Sequence, residues 1–315
     1  MGFFSQPCAA VIGGTGFIGR HVCTALSRSG YRVLAIARNE PRGALDADAF
    51  ASLDLLSATP DDVAGMLGRA GARVVVNAAT DSWDGTDEQM TRSHVQLVET
   101  LVRALESTPP SPRLVHLGSV HEYGELPSGV SVTEDHPPAP TSLYGKTKLE
   151  GSRTVLAAAR AGGIDAMVLR ITNVTGPGAP RSSFLGKAAA LLRSAGSGAP
   201  VSLTVADARR DFVDVRDVAD AVVRAAESPV NSTTVNIGQG TAVSVRDILG
   251  LLVAASGVPP HLVRGQDGPV RSNGADWTRA DIGRAGDVLG WTPRVPLAQS
   301  IADQWAAEAV ENQYR

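Results

Sequence analysis

Short apolar runs alternate with stretches of helical period along most of the chain. Ala9 to Ile12 is apolar and passes through Gly13-Gly14-Thr15-Gly16 into Phe17 to Ser29, which is helical in pattern and free of proline. Gly30 closes that helix before a second strand pattern, Tyr31 to Ala37. Ala51 to Leu56 predicts a short third strand, and Pro60 to Ala70 a helix that starts near Thr59 and ends at Gly71. Arg73 to Ala79 carries Val74-Val75-Val76, the continuous apolar run that a parallel strand buried on both faces needs. Asp87 to Ser107 predicts a long helix stopped by Pro109-Pro110, and Arg113 to Gly118 another strand. Ser142 to Ala161 predicts a helix capped by Thr141 or Ser142, and Ala166 to Ile171 a return to the sheet. This alternation predicts an α/β protein with a doubly wound parallel sheet.

Beyond Asn173 the pattern changes to Gly176-Pro177-Gly178-Ala179-Pro180, a helix-like Phe184 to Arg193, and a loop from Ser194 to Pro200. An inserted lobe is expected there. Arg210 to Glu227 and Val235 to Gly238 are expected to return to the main body, with one more helix over Val243 to Gly257. The tail, Ala280 to Arg315, carries Leu289-Gly290-Trp291-Thr292-Pro293 ahead of a last helix. The expected division is residues 1–173 with 210–240 as one domain, and 174–209 with 241–315 as a smaller, discontinuous C-terminal lobe.

Composition narrows the function classes. A chain of 315 residues with 43% hydrophobic content can bury one large core or a core plus an attached lobe. The net charge of −3 offers no basic excess to neutralise phosphate chains, which argues against nucleic acid as a partner. The longest helix-like apolar run, Ile248 to Val258, is about half of the ~20 residues a bilayer span requires. Phe3 and Phe4 come without a basic or signal-length apolar segment, so a cytoplasmic protein with no membrane part is expected. Cys8 and Cys23 flank the glycine loop as buried free thiols, and the six histidines are scattered, so no metal site is expected. Trp277, Trp291 and Trp305 are expected to pack.

The glycine loop is the first chemical signal. Glycine permits positive φ and, lacking Cβ, lets backbone N–H groups approach a pyrophosphate at the positive end of the following helix. Tyr144 and Lys148, four residues apart, project from one face of a predicted helix, where the ammonium favours the phenolate. Ser119 ends a predicted strand, the place where doubly wound sheets bind ligands. Gly145 and Gly151 weaken the Tyr144 helix unless something approaches it closely.

Together these residues resemble the extended short-chain dehydrogenase/reductase family, of the NAD-dependent epimerase/dehydratase type with a Rossmann domain, and within it the enzymes of nucleotide sugars. The motifs are GGTGFIG at Gly13 to Gly19, LDLL at Leu53 to Leu56, VVVNAA at Val74 to Ala79 and SLYGKTKLEG at Ser142 to Gly151. They continue with LRITNVTGPG at Leu169 to Gly178, RDFVDVRDVADA at Arg210 to Ala221, NIGQG at Asn236 to Gly240 and ADIGRAGDVLGWTP at Ala280 to Pro293. The resemblance implies that the first domain binds the dinucleotide through Gly13, Thr15, Gly16, Phe17, Ile18, Gly19, Asp54, Leu55, Ala78, Ala79 and Lys148, Asp54 meeting the adenine amino group. It implies Tyr144 as the acid–base residue, Lys148 as its electrostatic partner, and Ser119 as the donor to the reacting oxygen. It implies Asn173 and Arg210 as substrate contacts, the arginine through the diphosphate, with Arg271 or Arg279 as a second. An ion pair of Arg210 with Asp211 or Asp214 is the structural alternative.

Two departures from the family pattern refine this. The ribose-binding acid of NAD-using epimerases is replaced by Ala37, followed by Arg38, which with Arg42 suits a 2′-phosphate and favours NADP(H). The Asp-Glu pair of sugar 4,6-dehydratases is replaced by Val120-His121, and a valine donates no proton. His121 is either a substrate contact or a loop histidine satisfied locally. The phrases Gly118 to Gly124 and Asn173 to Gly178, with Phe184 and Leu185, most resemble nucleotide-sugar 4-ketoreductases. The expected activity is NADPH-dependent reduction of a nucleoside-diphosphate 4-keto-6-deoxyhexose. An NAD-dependent 4-epimerase is the alternative, and a non-catalytic dinucleotide sensor a third. A homodimer through the helices of Glu88 to Ser107 and Ser142 to Ala161 is expected from the resemblance.

Overall fold

In the computed structural model, which describes residues 6–41, 43–80, 86–194, 200–268 and 276–313, β1 (Cys8–Ile12) is buried throughout and turns directly into α1 (Phe17–Arg28). β2 (Arg32–Ala37) follows, then β3 (Ala49–Ser52). The third strand therefore lies before the apolar Leu53 to Leu56 run rather than on it. Asp54 begins a turn there, its Oδ1 accepting from the Leu56 N–H at 3.1 Å, and the buried Leu55 reaches the core from a loop. α2 (Pro60–Ala70) has the expected bounds. Thr59 and Asp62 form a reciprocal capping box, and Gly71 closes the helix at φ 64°.

β4 (Ala72–Asn77) ends two residues early because the Asn77 side chain accepts from the Ala79 N–H at 3.2 Å. The expected long helix is broken in two. α3 (Asp87–Thr91) and α4 (Leu97–Glu106) flank a wide π-helical turn over Arg92–Gln96. β5 (Arg113–Ser119), α5 (Leu143–Arg160) and β6 (Ala166–Ile171) match expectation, with Ser142 capping α5 through the Gly145 N–H. The later elements are β7 (Asn173–Thr175), α6 (Phe184–Ser194), β8 (Val201–Val205), β9 (Arg209–Asp214), α7 (Val215–Glu227) and β10 (Thr233–Ile237). Last come β11 (Ala242–Ser244), α8 (Val245–Ser256), β12 (Val263–Asp267), α9 (Gly283–Leu289) and α10 (Leu297–Gln313).

Seven parallel strands form the main sheet in the order β10-β6-β5-β4-β1-β2-β3, so the winding reverses between β1 and β4. Alternate residues feed two cores. Ala9, Val11, Val33, Ala35, Val74 and Val76 face α1 and α7, while Ala10, Ile12, Leu34, Ile36 and Val75 face α2, α4 and α5. α7 and β10 return to this body as expected, but β9 does not. It lies between β7 and β11 in a three-stranded sheet, because the Phe212 side chain belongs to the apolar core of α6, α8 and α10. β8 and β12 form a separate parallel pair over that core.

Asp211 fastens the parts together. Buried on β9, it accepts from the N–H groups of Gln239, Gly240 and Ala280 at 2.7, 3.0 and 3.2 Å. Cys8 and Cys23 are buried free thiols, and Trp291 is fully buried, donating from its ring nitrogen to the Asp217 carbonyl. Among the described residues, no helix is long and apolar enough to cross a membrane.

Candidate active site

At the reversal point the chain leaves β1 through a turn that only small residues allow. Gly13, at φ 78°, donates to the Ile36 carbonyl at 2.8 Å, and a Cβ there would run into the backbone of Ala78 and Ala79. A Cβ on Gly19 would overlap the Gly13 carbonyl oxygen, so α1 starts hard against the turn. Among the described residues no side chain caps α1, and its first turn holds no acid. Its N–H groups and positive dipole end are therefore available to an anion, and the cradle fits a dinucleotide pyrophosphate. Thr15, Gly16, Phe17 and Ile18 all lie in this turn and first helical turn, with Ala78 and Ala79 opposite.

The adenosine-side candidates lie along the neighbouring strand ends. Arg38 is exposed just past β2, its carbonyl accepting from Ser52 Oγ at 3.0 Å. Asp54 and Leu55 occupy the turn after β3. Arg42 and Arg271 lie outside the described residues. Arg279 is half-buried, its carbonyl accepting from the Val132 N–H.

Ser119, Tyr144 and Lys148 do come together. Ser119 ends β5 and caps a short 3-10 turn over Val120–Tyr123, accepting from the His121 N–H at 3.3 Å, and it is hydrogen-bonded to Tyr144. Tyr144 and Lys148 are both buried, one turn apart on α5, and Lys148 Nζ donates to the Leu117 carbonyl at 2.6 Å. The phenol departs from the sequence expectation. Burial pushes Tyr144 up to about 12, with the Ser119 hydrogen bond pulling the other way, and Thr80 is also hydrogen-bonded to the phenol. Burial also brings Lys148 down to about 8, opposed by the Glu122 charge. Between these two residues, desolvation outweighs the attraction that their spacing suggests.

A buried ionic chain backs this cluster. Glu122, fully buried, accepts from the Ser119 N–H at 2.8 Å and Ser152 Oγ at 2.9 Å, and pairs with Arg170 Nε at 2.7 Å. Arg170 stacks on the Tyr123 ring at 4.4 Å, and Tyr123 donates to Asn236 at 2.8 Å. On the other side Thr80 and His94 are 2.9 Å apart, and the His94 ring meets the Tyr144 ring edge-on at 5.2 Å. None of Glu122, Thr80 and His94 stands out in the sequence as a site residue. Glu122 sits inside the Gly118 to Gly124 phrase and Thr80 directly follows Ala79, so position in those motifs is their only signal.

The substrate-side candidates converge from the lobe. His121 stacks edge-on against Tyr144 at 5.9 Å, and burial holds its ring down to about 4, with the Arg210 charge adding to the fall. Arg210 is buried on β9, where burial lowers its guanidinium and the Asp276 carboxylate opposes that. Asp211 and Asp214 are engaged elsewhere, the latter as the cap of α7 with Arg216. Asn173 on β7 donates to the Asp211 carbonyl at 2.9 Å.

An anion-ready helix end and a buried phenol beside one sheet reversal suit an enzyme that binds a dinucleotide. Residues 9–238 match the model of the NAD dependent epimerase/dehydratase family, and the chain belongs to that family. It is 41% identical over 303 residues to a dTDP-6-deoxy-L-talose 4-dehydrogenase (NAD(P)(+)) of Kitasatospora kifunensis, covering 95% of both chains. It is 27% identical to a UDP-glucose 4-epimerase of Rhizobium leguminosarum bv. trifolii over 96% of this chain and 98% of that one. Among solved structures, MoeE5 in complex with UDP-glucuronic acid and NAD superposes with a TM-score of 0.84 at 29% identity, over 96% of this chain and 99% of that one.

Proposed function

We propose that this enzyme reduces the C4 ketone of a 4-keto-6-deoxyhexose carried on a nucleoside diphosphate, with NADPH as reductant. The observation that carries the proposal is the buried meeting of Ser119, Tyr144 and Lys148 beside the glycine turn. The resemblance to a 4-dehydrogenase acting on a dTDP-6-deoxysugar supports the substrate class, since reduction is that reaction run backwards. The bound nicotinamide supplies the hydride. Tyr144 gives its proton to the oxygen that takes up the C=O electron pair, Ser119 donates to that oxygen, and Lys148 favours the phenolate left behind. A phenol held near 12 stays protonated at neutral pH, which suits an acid in the reductive direction.

Gly13, Gly16 and Gly19 with Thr15, Phe17 and Ile18 hold the pyrophosphate side in this proposal, Asp54 and Leu55 the adenine, and Ala78, Ala79 and Lys148 the nicotinamide side. Arg38 takes the 2′-phosphate of NADP. Arg210, Asn173 and His121 take the sugar nucleotide, in a cleft between the seven-stranded body and the smaller lobe that carries β9. Two copies pair through α4 and α5.

The test uses dTDP-6-deoxy-L-talose with NADP⁺, followed by reduction of the resulting 4-keto sugar with NADPH. One nicotinamide should turn over per sugar in each direction, with NADPH preferred to NADH. Arg38→Ala should erode that preference by roughly 1–2 kcal/mol, the scale of one partly solvated charge-assisted contact. Stoichiometric NAD in the purified protein, with interconversion of two sugar nucleotides and no added reductant, would replace this proposal with a 4-epimerase.

A further inference from the structure

The directions of the hydrogen bonds behind Tyr144 can be followed from one end. Thr147 Oγ1 donates to the helix carbonyls of Leu143 and Tyr144, at 3.1 and 3.2 Å, and a carbonyl can only accept. Its oxygen is then an acceptor, so His94 Nδ1, 2.9 Å away, carries the proton. The ring is neutral, held down to about 3 by burial and then by the Lys148 charge, so Nε2 carries a lone pair. Thr80 Oγ1, 2.9 Å from Nε2, therefore donates to it and offers its own lone pair to the Tyr144 phenol. On the other side Ser119 Oγ accepts from the His121 N–H, which leaves the Ser119 proton for the Tyr144 oxygen until a substrate oxygen takes it.

We propose that Thr80 and His94 are positioning residues that fix the Tyr144 hydroxyl, so that its proton points along the Thr80–His94–Thr147 chain while its oxygen faces Ser119 and the cleft. The inference rests on the acid–base role proposed for Tyr144. The chain ends on backbone carbonyls of α5, so it passes no proton beyond Thr147. Its effect is to remove rotational freedom from one hydroxyl, and a swing of the phenol hydrogen from Thr80 to the substrate oxygen moves no heavy atom. The π-helical turn is what presents His94 to both threonines, and His94 is buried among them.

The test compares Thr80→Val, Thr80→Ser, His94→Leu and the Thr80→Val/His94→Leu double variant, with Tyr144→Phe as the reference. Thr80→Val keeps the shape and loses the hydroxyl, so kcat should fall about tenfold, the effect of losing one net hydrogen bond. The sugar-nucleotide KM should stay within about twofold, since uniform binding is untouched. Thr80→Ser should restore most of the rate, which a merely structural role would not produce. The double variant should lose no more than the larger single loss, because both cuts fall in one chain. Parental kcat in Thr80→Val, or single losses that multiply in the double variant, would overturn the inference while a dead Tyr144→Phe left the acid–base role standing. An active Tyr144→Phe would instead remove that role. Should His94→Leu fail to fold, the Thr80 pair alone decides.

Discussion

Lys148 carries opposite consequences for stability and for catalysis. The residue is 5% exposed and burial lowers its ammonium from 10.5 to about 8, so the folded state disfavours the charged form. Below about pH 8 both the folded and the unfolded lysine are protonated and the whole penalty applies. As pH rises from about 8 through 10.5 the folded protein sheds the proton first, the unfolded state binds more protons, and stability increases. A shift of this size at about 1.4 kcal/mol per unit corresponds to roughly 3 kcal/mol. Replacing Lys148 by methionine should therefore raise the thermal midpoint at pH 7, and the advantage over the parent should shrink toward pH 10.5. The same variant should lose most turnover and cofactor affinity. Thermal melts at the two pH values check the sign. A Lys148→Met protein less stable than the parent at pH 7 would mean that the Leu117 and Glu122 contacts outweigh desolvation.

Helix α5 shows why element boundaries and element contacts differ in legibility. Its span was readable from Ser142 and the apolar period, as α2 was from Thr59, Pro60 and Gly71. Its two glycines were readable only as an unexplained weakness, and the structure supplies the reason. A Cβ on Gly145 would overlap the His121 carbonyl oxygen, and one on Gly151 the His94 carbonyl oxygen. The bare side of α5 thus lets the 3-10 turn and the π turn press against Tyr144, Thr147 and Lys148. Helix propensity favours Ala over Gly by about 1 kcal/mol, whereas forcing a methyl into a packed contact costs about 1–3 kcal/mol. Gly151→Ala should accordingly lower the melting temperature by a few degrees. Gly250→Ala on α8, where nothing among the described residues lies within 4 Å of the new Cβ, should leave it unchanged or raise it. Equal responses would show that propensity, not close approach, governs both. The π turn itself left no mark in the sequence, because Arg92 to Gln96 has ordinary helix formers and its extra residue is revealed only by which side chains face inward. β3 lies off the expected run for a related reason: Leu53 to Leu56 is more apolar than Ala49 to Ser52, but hydrophobicity reports burial and not strand pairing.

At the scale of the whole molecule, the main sheet was legible because every strand buried on both faces must read as an apolar run. β9 was not, since a long-range partner decides which sheet a short strand joins. The proposed homodimer is subject to the same kind of decision, made between copies. α4 and α5 bury their apolar sides, Leu97, Val98, Leu101 and Leu105 on one and Val155, Leu156 and Ala159 on the other, against the chain's own core. What they leave exposed is mostly charged: Arg103 and Glu106 on α4, and Lys146, Glu150, Arg153 and Arg160, beside Ala157, on α5. A two-fold axis sets the same patch against itself, so alternating signs along α5 let each Glu150 meet a basic residue of the other copy. Such an interface draws more on ion pairs than on apolar burial and must weaken with salt, because the screening length falls from about 10 Å at 0.1 M to about 3 Å at 1 M. Sedimentation velocity at micromolar concentration should therefore show a dimer in dilute buffer that shifts toward monomer at about 1 M salt, the range over which that screening acts. Glu150→Arg should give monomer throughout. A monomer in both buffers would dispose of the dimer, and a dimer indifferent to both salt and Glu150→Arg would place the contact on another face of the molecule.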